Sequence, residues 1–491
     1  MSGRSPLAQL AGCGSASVLI YLAVFTIPYS LGIGLQKPLL QFTSLTGPSF
    51  RPTVILIAGV AGLFTLYVWA LRAVAKLQGS RAAVLLVVLF GVLSAAALIP
   101  MYPVFSLDIF YYMAADRIWS VFRENPFVVP PLQAAHDPFF PYTAWGHYPL
   151  PYGPGWPWIT EATSHFGGGN VMRTLFAFKL LGTFGYLLCL PAIAWAAAGL
   201  HRDRTLTALC IFAWNPLVLI ELVGGGHNDA VALVPAALAV GLWARGSTIA
   251  GALAGLMSVL VKASLGVLMP ALLWASFSRA LRSRRLVSWT ASHLLPALVL
   301  YGIAWIPFTG GGFPQGFLRE GDQYYHSLTA LTIAMLPPDL KVLGLRVMQI
   351  ALSGVFLLFY ASQLKALAVE GRPAIHAMWR IVVVFFLLVS PFSSPWYMVW
   401  PTLFAAVLTE RHTTTLNTLL CVGALGSYVI QFVVRPLTMP PLGWVHMNAL
   451  GLAVALGPFL IGWLVMQRQR IAVAERRRPA PVVVTPERAR Q

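Results

Sequence analysis

Residues 82–101 read AAVLLVVLFGVLSAAALIPM, an uninterrupted apolar run with Arg72, Lys76 and Arg81 just ahead of it. At a helical rise of about 1.5 Å per residue, such a run covers the roughly 30 Å hydrocarbon core of a bilayer. Comparable runs recur from end to end, near 14–34, 53–71, 82–101, 171–199, 205–223, 228–244, 247–261, 264–278, 286–307, 341–361, 376–391, 396–409, 413–434 and 444–466. Several are short for a complete crossing, so the expected count lies between about eleven and fourteen. With 58% hydrophobic and 10% charged residues and a mean hydropathy of +0.74, the chain needs lipid as its solvent. The fold class is therefore all-α, a polytopic transmembrane helical bundle. One membrane domain occupies 1–466, and a basic tail, expected to be disordered, occupies 467–491.

The net charge of +18 does not indicate nucleic acid, because the basic residues lie in short turns and in the tail rather than on an aromatic-studded face. Alternate turns carry them: Arg72, Lys76 and Arg81; Arg202 and Arg204; Arg245; Arg279, Arg282, Arg284 and Arg285; Lys365 and Arg372; Arg411. The positive-inside rule then puts these turns and both termini in the cytoplasm of a cell's inner or plasma membrane. The long loops 102–170 and 309–340 fall on the outer side with most of the carboxylates, so any chemistry is expected there. Cys13, Cys189, Cys210 and Cys421 have no paired spacing and suggest neither disulfides nor a metal site. Leu10-Ala11-Gly12-Cys13 mimics a lipoprotein cleavage site, but the preceding residues form no apolar signal core, and the first span is expected to serve as an uncleaved insertion signal.

Chemistry-bearing residues cluster where the outer loops meet the spans. Asp108, Tyr112 and Asp116 share one side of a helix beginning just beyond the 82–101 run. An acid at a membrane boundary is costly to retain, which favours function for Asp108 over helix capping; Asp116 has the alternatives of pairing with Arg117 or lying solvated. His147 to Trp156, including Tyr152, is rich in proline and aromatics and suits sugar or interface anchoring, the commoner use. Gly224-Gly225-Gly226 precedes His227, Asn228 and Asp229 at the mouth of a span, where helix capping and substrate contact are both open readings. Lys262 sits between two apolar runs, placed either to hold a lipid phosphate or to snorkel to a headgroup. Arg319, Glu320 and Asp322 concentrate charge in the second loop, where two carboxylates alone are a weak metal signal. Ser390 to Pro401, with Trp396 and Tyr397, is a tight aromatic turn that suits an isoprenoid groove or an aromatic belt equally.

In this order, Asp108-Ile109-Phe110-Tyr111-Tyr112, Tyr152-Gly153-Pro154, Asn215-Pro216-Leu217 through Gly226-His227-Asn228-Asp229, and Pro391 through Pro401 resemble the polyprenyl-phosphate-mannose-dependent α-1,6-mannosyltransferases, the MptA/MptB type of the GT-C superfamily. The resemblance covers about positions 100–400. It implies catalysis on the outer face, a polyprenyl-phosphate sugar as donor, a glycan or glycolipid acceptor and Asp108 as general base. Asp116, Tyr112, Tyr152, Asn228, Asp229, Glu320 and Asp322 are then candidates to contact or support the sugars. Lys262, His227 and Arg319 are the candidates to balance the departing phosphate, and Trp396 and Tyr397 to wall the lipid groove. No metal or other cofactor need be invoked. The rival is a lipid-linked sugar transporter or flippase, which would place its polar groups near mid-membrane; here only Lys179 and Glu221 lie there.

Overall fold

The computed structural model describes residues 5–47, 50–309, 325–369, 371–434 and 443–476, with side chains through Arg470. Among these there is no β-strand, only two isolated bridges, Ser30 with Met101 and Tyr325 with Phe392. The principal helices are α1 Pro6–Thr26, α2 Phe50–Val74, α3 Arg81–Leu98, α4 Asp108–Ser120, α5 Gly155–Gly167, α6 Val171–Leu200, α7 Arg202–Ala213, α8 Pro216–Gly224, α9 Asp229–Trp243, α10 Thr248–Val261, α11 Ala263–Arg282, α12 Leu286–Phe308, α13 Leu328–Met335, α14 Pro338–Leu367, α15 Arg372–Val389, α16 Pro395–Leu408, α17 Arg411–Val434 and α18 Trp444–Arg470. The protein is a multi-pass membrane protein. The helix of α18 continues to Arg476, past the expected start of the tail at 467; residues 477–491 lie outside the described residues.

Ten of the described helices are long and apolar enough to cross a membrane, and eleven if α7 and α8 are one bent span. The upper expectation of fourteen counted three further apolar runs that are α9, α10 and α16, each only 14 or 15 residues long. At about 1.5 Å per residue these reach roughly 22 Å, short of the hydrocarbon core. Protein encloses α9 and α16: every residue of Val399–Leu408 is buried, as is most of α9, while α10 is half buried. By contrast α12 and α14 bury only 11% of their apolar windows and present the rest to lipid. Hydropathy does not separate a helix solvated by lipid from one solvated by its neighbours.

The basic turns gather at one end of the bundle. Gln78 donates to the Thr207 hydroxyl, Arg204 to the Thr409 carbonyl, and Arg372 pairs with Glu410. Residues 99–170 cover the opposite end. Within the segment, ion pairs and an indole bond hold it together: Arg117 to Asp137 at 2.6 Å, and Glu161 accepting from both Arg123 and Trp119 at 2.8 Å. Asp137 is thus committed to structure, and Arg117 is not the partner of Asp116.

Two local devices shape that end. Asn215 caps α8 by accepting from the Leu217 amide, and Pro216 occupies the first helical turn, where its missing N–H goes unused; α7 and α8 meet there at a bend of 51°. Gly153 donates its amide to the Val261 carbonyl, and a Cβ there would lie 2.2 Å from the Leu260 carbonyl oxygen. The proline-rich loop thereby rests directly on the last turn of α10, beside Lys262. Gly153→Ala must push the loop away, and it should destabilise the protein by about 1–3 kcal/mol, the usual penalty of overpacking. Thermal unfolding in detergent checks this; an unchanged melting temperature would mean the loop is not docked.

Candidate active site

Asp108 occupies the first turn of α4, where Ser106 accepts a hydrogen bond from its amide at 3.3 Å. Its Oδ1 accepts from the Trp145 indole at 3.2 Å, and its side chain keeps 14% exposure. Burial pushes the carboxyl up to about 6; the Lys262 charge and the bonds from Ser106 and Trp145 pull it down, and Asp229 raises it. The carboxylate therefore ionises near neutrality and faces open space. Two clefts meet on it. A smaller one lies among Tyr111, Tyr152, Trp396 and Tyr397; a larger one runs past Phe105, Tyr325 and Trp444. Trp145, Tyr148, Phe392 and Trp396 line both.

Behind Asp108 the bend of α8 supplies a polar column. Gly226 adopts φ +69°, a left-handed turn in which a Cβ would strike Ile109 at 2.5 Å, and it aims the next residues back under α4. His227 follows, fully buried, with Nδ1 3.8 Å from Asp108 Oδ2 and Nε2 3.3 Å from Glu221 Oε2. Its ring stacks on Trp396 with centroids 4.3 Å apart. Burial, reinforced by Lys262, holds this imidazole well below its usual pKa, and the ring is enclosed away from both cleft linings. Glu221 lies in the wide-pitched final turns of α8 and also accepts from the Tyr428 hydroxyl at 3.3 Å. Tyr112 places its hydroxyl 3.5 Å from both His227 Nδ1 and the Asn228 side-chain oxygen. Tyr112 and Asn228 are buried and support the column from behind.

Lys262 is not a free headgroup cation. Its Nζ donates to Asp229 at 2.6 Å and to Asn228 at 3.3 Å, with the Tyr397 ring centroid 5.1 Å away. Asp229 accepts also from the Trp400 indole and is fully enclosed. This corrects the snorkelling reading, and it places Asp229 among the supporting residues, away from both cleft linings. Asp116, on the expected side of α4, turns away from Asp108: Ser120 and Ser164 donate to it between α4 and α5, and burial raises its pKa against those bonds. Trp396 and Tyr397 form inner cleft walls and not a lipid-facing belt, being 7% and 9% exposed. Arg319, Glu320 and Asp322 lie outside the described residues. No group of three or more metal-ligating side chains converges among the described residues.

Trp145 and Tyr148 escaped the sequence reading as individuals, since one indole in an aromatic loop carries no periodic signal. Glu221 had a signal, an acid within an apolar run, but nothing in the chain linked it to His227. Lys179 proves structural: its Nζ donates to the Gly224 carbonyl at 2.6 Å and holds the end of α8.

A helical bundle that raises one carboxylate into the junction of two aromatic clefts is suited to passing a sugar between two ligands, and related sequences agree that this is a membrane glycosyltransferase. Residues 12–278, more than half of the chain, match the family described as Alpha-(1->6)-mannopyranosyltransferase, N-terminal domain, and the protein belongs to this MptA/MptB family. It is 25% identical over 395 residues to Alpha-(1->6)-mannopyranosyltransferase A of Mycobacterium tuberculosis, an alignment covering 74% of this chain and 72% of that one. It is 25% identical over 426 residues to Alpha-(1->6)-mannopyranosyltransferase B of Corynebacterium glutamicum, covering 74% and 65%, and 26% identical over 224 residues to the A enzyme of that organism, covering 42% and 43%. No solved structure matches the chain.

Removing one member of a buried ion pair strands the other charge, at a cost of about 3–5 kcal/mol. Lys262→Ala should therefore destabilise strongly, while Lys262→Met combined with Asp229→Leu should recover most of the melting temperature. Activity measured on the double variant then separates structure from function. Parental turnover in that variant would remove Lys262 from the catalytic machinery.

Proposed function

We propose that this protein transfers mannose from a polyprenyl-phosphate carrier to a glycan or glycolipid acceptor on the outer face of the membrane, forming an α-1,6 linkage with inversion. The observation that carries the reading is Asp108: a partly exposed carboxylate, ionising near neutrality, where two clefts join. The relatives bear the name of alpha-(1->6)-mannopyranosyltransferases, which supports mannose and the linkage.

The chemistry balances on groups at hand. The acceptor hydroxyl attacks the anomeric carbon, Asp108 takes its proton, and the bond to the phosphate breaks with its electron pair left on the carrier's phosphate oxygen. A β-linked donor then yields an α product in one displacement. The Trp145 indole donates to Oδ1 of Asp108 and holds the carboxylate at the mouth of the clefts. The developing phosphate charge is met by the smaller cleft, whose Tyr397 ring backs onto Lys262. An ammonium carries three N–H donors, and Asp229 and Asn228 take two. Membrane lipid surrounds α12 and α14 and would admit the isoprenoid chain laterally.

Asp108→Asn keeps shape and most hydrogen bonding, so transfer should fall by a factor of about 10²–10⁴ with the fold intact. With the carboxyl at about 6, the parental rate should fall as pH drops through about 6 and level off above it. The stability term has the opposite sign. A pKa raised above the unfolded value of about 3.9 means that the ionised form is disfavoured by folding, a penalty present above about 6 and relieved between 6 and 4. Rates and melting temperatures across pH 4–8 check both; a rate independent of pH over this range would exclude Asp108 as the base.

Orientation is tested at Gln133, which is exposed in the 99–170 segment. Gln133→Cys should react with an impermeant thiol reagent in intact cells, the four native cysteines being buried. Reaction only after lysis would reverse the sidedness and move catalysis to the inner face.

A further inference from the structure

We infer that the larger cleft beside Asp108 is the acceptor subsite, that it takes the neutral sugar units preceding the attacked one, and that the side-chain amides of Gln41 and Gln431 read them. The inference rests on the glycosyltransferase reading and deepens it.

The two clefts differ in the charge that lies behind their walls. Among the described residues Asp108 is the one charged side chain lining either cleft, and neither wall holds a lysine, arginine or histidine. A phosphate would meet only a carboxylate there, whereas Tyr397 of the smaller cleft backs onto the Lys262 ammonium. The larger cleft therefore suits an uncharged ligand. Its lining combines flat rings, Trp145, Tyr148 and Trp444, with amide and hydroxyl groups at Gln41, Gln431 and Ser394. Rings to cover the apolar faces of a pyranose and neutral groups to bond its hydroxyls are the chemistry of polyol recognition. It is also the roomier of the two.

The two amides are held in place and left available. Among the described residues neither side chain has a hydrogen-bond partner, and both are partly exposed. Gln431 belongs to the last, wide-pitched turn of α17, where an amide is costly unless it meets water or a polar ligand. Gln41 reaches the same wall from the segment after α1. The neighbour Thr43 donates to the Phe432 carbonyl, joining the two segments. Phe42 stacks on Phe105 at 6.0 Å, and Phe105 on Tyr428 at 4.9 Å, so the wall is a continuous stack ending at the Glu221–His227 column.

The test uses the full-length protein in detergent with polyprenyl-phosphate mannose and α-mannoside acceptors of one, two and four units. In the parent, the acceptor KM should fall as units are added. Gln431→Leu and, independently, Gln41→Leu should raise the KM for the tetramer about tenfold and flatten the dependence on length, with the donor KM moving less than twofold. Gln431→Asn, which keeps the amide but retracts it, should fall between and guards against misfolding. Transfer with no length dependence in the parent, or variants that keep the parental dependence, would overturn the subsite while leaving the transferase reading intact. A rise in donor KM in place of acceptor KM would overturn it too, by giving the cleft to the donor. A folded parent that consumes no mannosyl donor with any acceptor would remove the transferase reading itself, and the subsite with it.

Discussion

Deep in the bundle the Lys262 ammonium and the Asp229 carboxylate meet at 2.6 Å, with the Trp400 indole closing the other carboxylate oxygen. Neither charge is tolerable alone in that setting, since each would carry a desolvation penalty of several kcal/mol. The pair therefore fixes the start of α9 against the end of α10 and both against α16. Asn228 lies inside this clamp, bonded to the same ammonium, and His227 immediately precedes it. The position of the imidazole behind Asp108 thus depends on an interaction that does not touch the reacting carboxylate.

The surroundings of Asp108 strike a balance between two demands. Exposure would lower its pKa and weaken it as a base; complete burial would leave it protonated at neutral pH. Trp145 and Ser106 contribute hydrogen bonds that favour the charged form, and the Lys262 charge helps from beyond contact distance. Burial likewise disfavours the charged form of His227. The outcome is a group whose ionised form is available at physiological pH without being stabilised so far that it ceases to accept a proton.

Aromatic rings do much of the remaining positioning. Trp396 stacks on His227, Tyr112 packs edge-on against Tyr152 and Trp156, and Phe105 stacks on Tyr428. Such contacts add about 0.5–1.5 kcal/mol each beyond area burial, and their flat faces leave a cleft lining that excludes water without filling the space. In a membrane protein these rings have a further use, since burying them inside separates a ligand cleft from the lipid that bathes the outer helices.

Much was legible in the chain itself. Apolar runs the length of a bilayer dictate a helical membrane bundle because backbone groups in lipid must bond internally. Asn215-Pro216 announces a helix start, the alternating basic turns collect at one end of the bundle, and an acid just beyond a span marks Asp108. Three-dimensional packing decided the rest. Period and hydropathy are local properties, so they could not show that α9, α10 and α16 stop at 14 or 15 residues and that α9 and α16 are largely enclosed by protein. Nor could spacing on α4 reveal that Asp116 faces serines of α5, or that Lys262 already has Asp229 as its counter-ion. Asp108 and His227, Trp145 and Asp108, Gln41 and Gln431 become neighbours only when segments distant in sequence pack, and a charge or an amide acquires its role from the groups that packing sets around it.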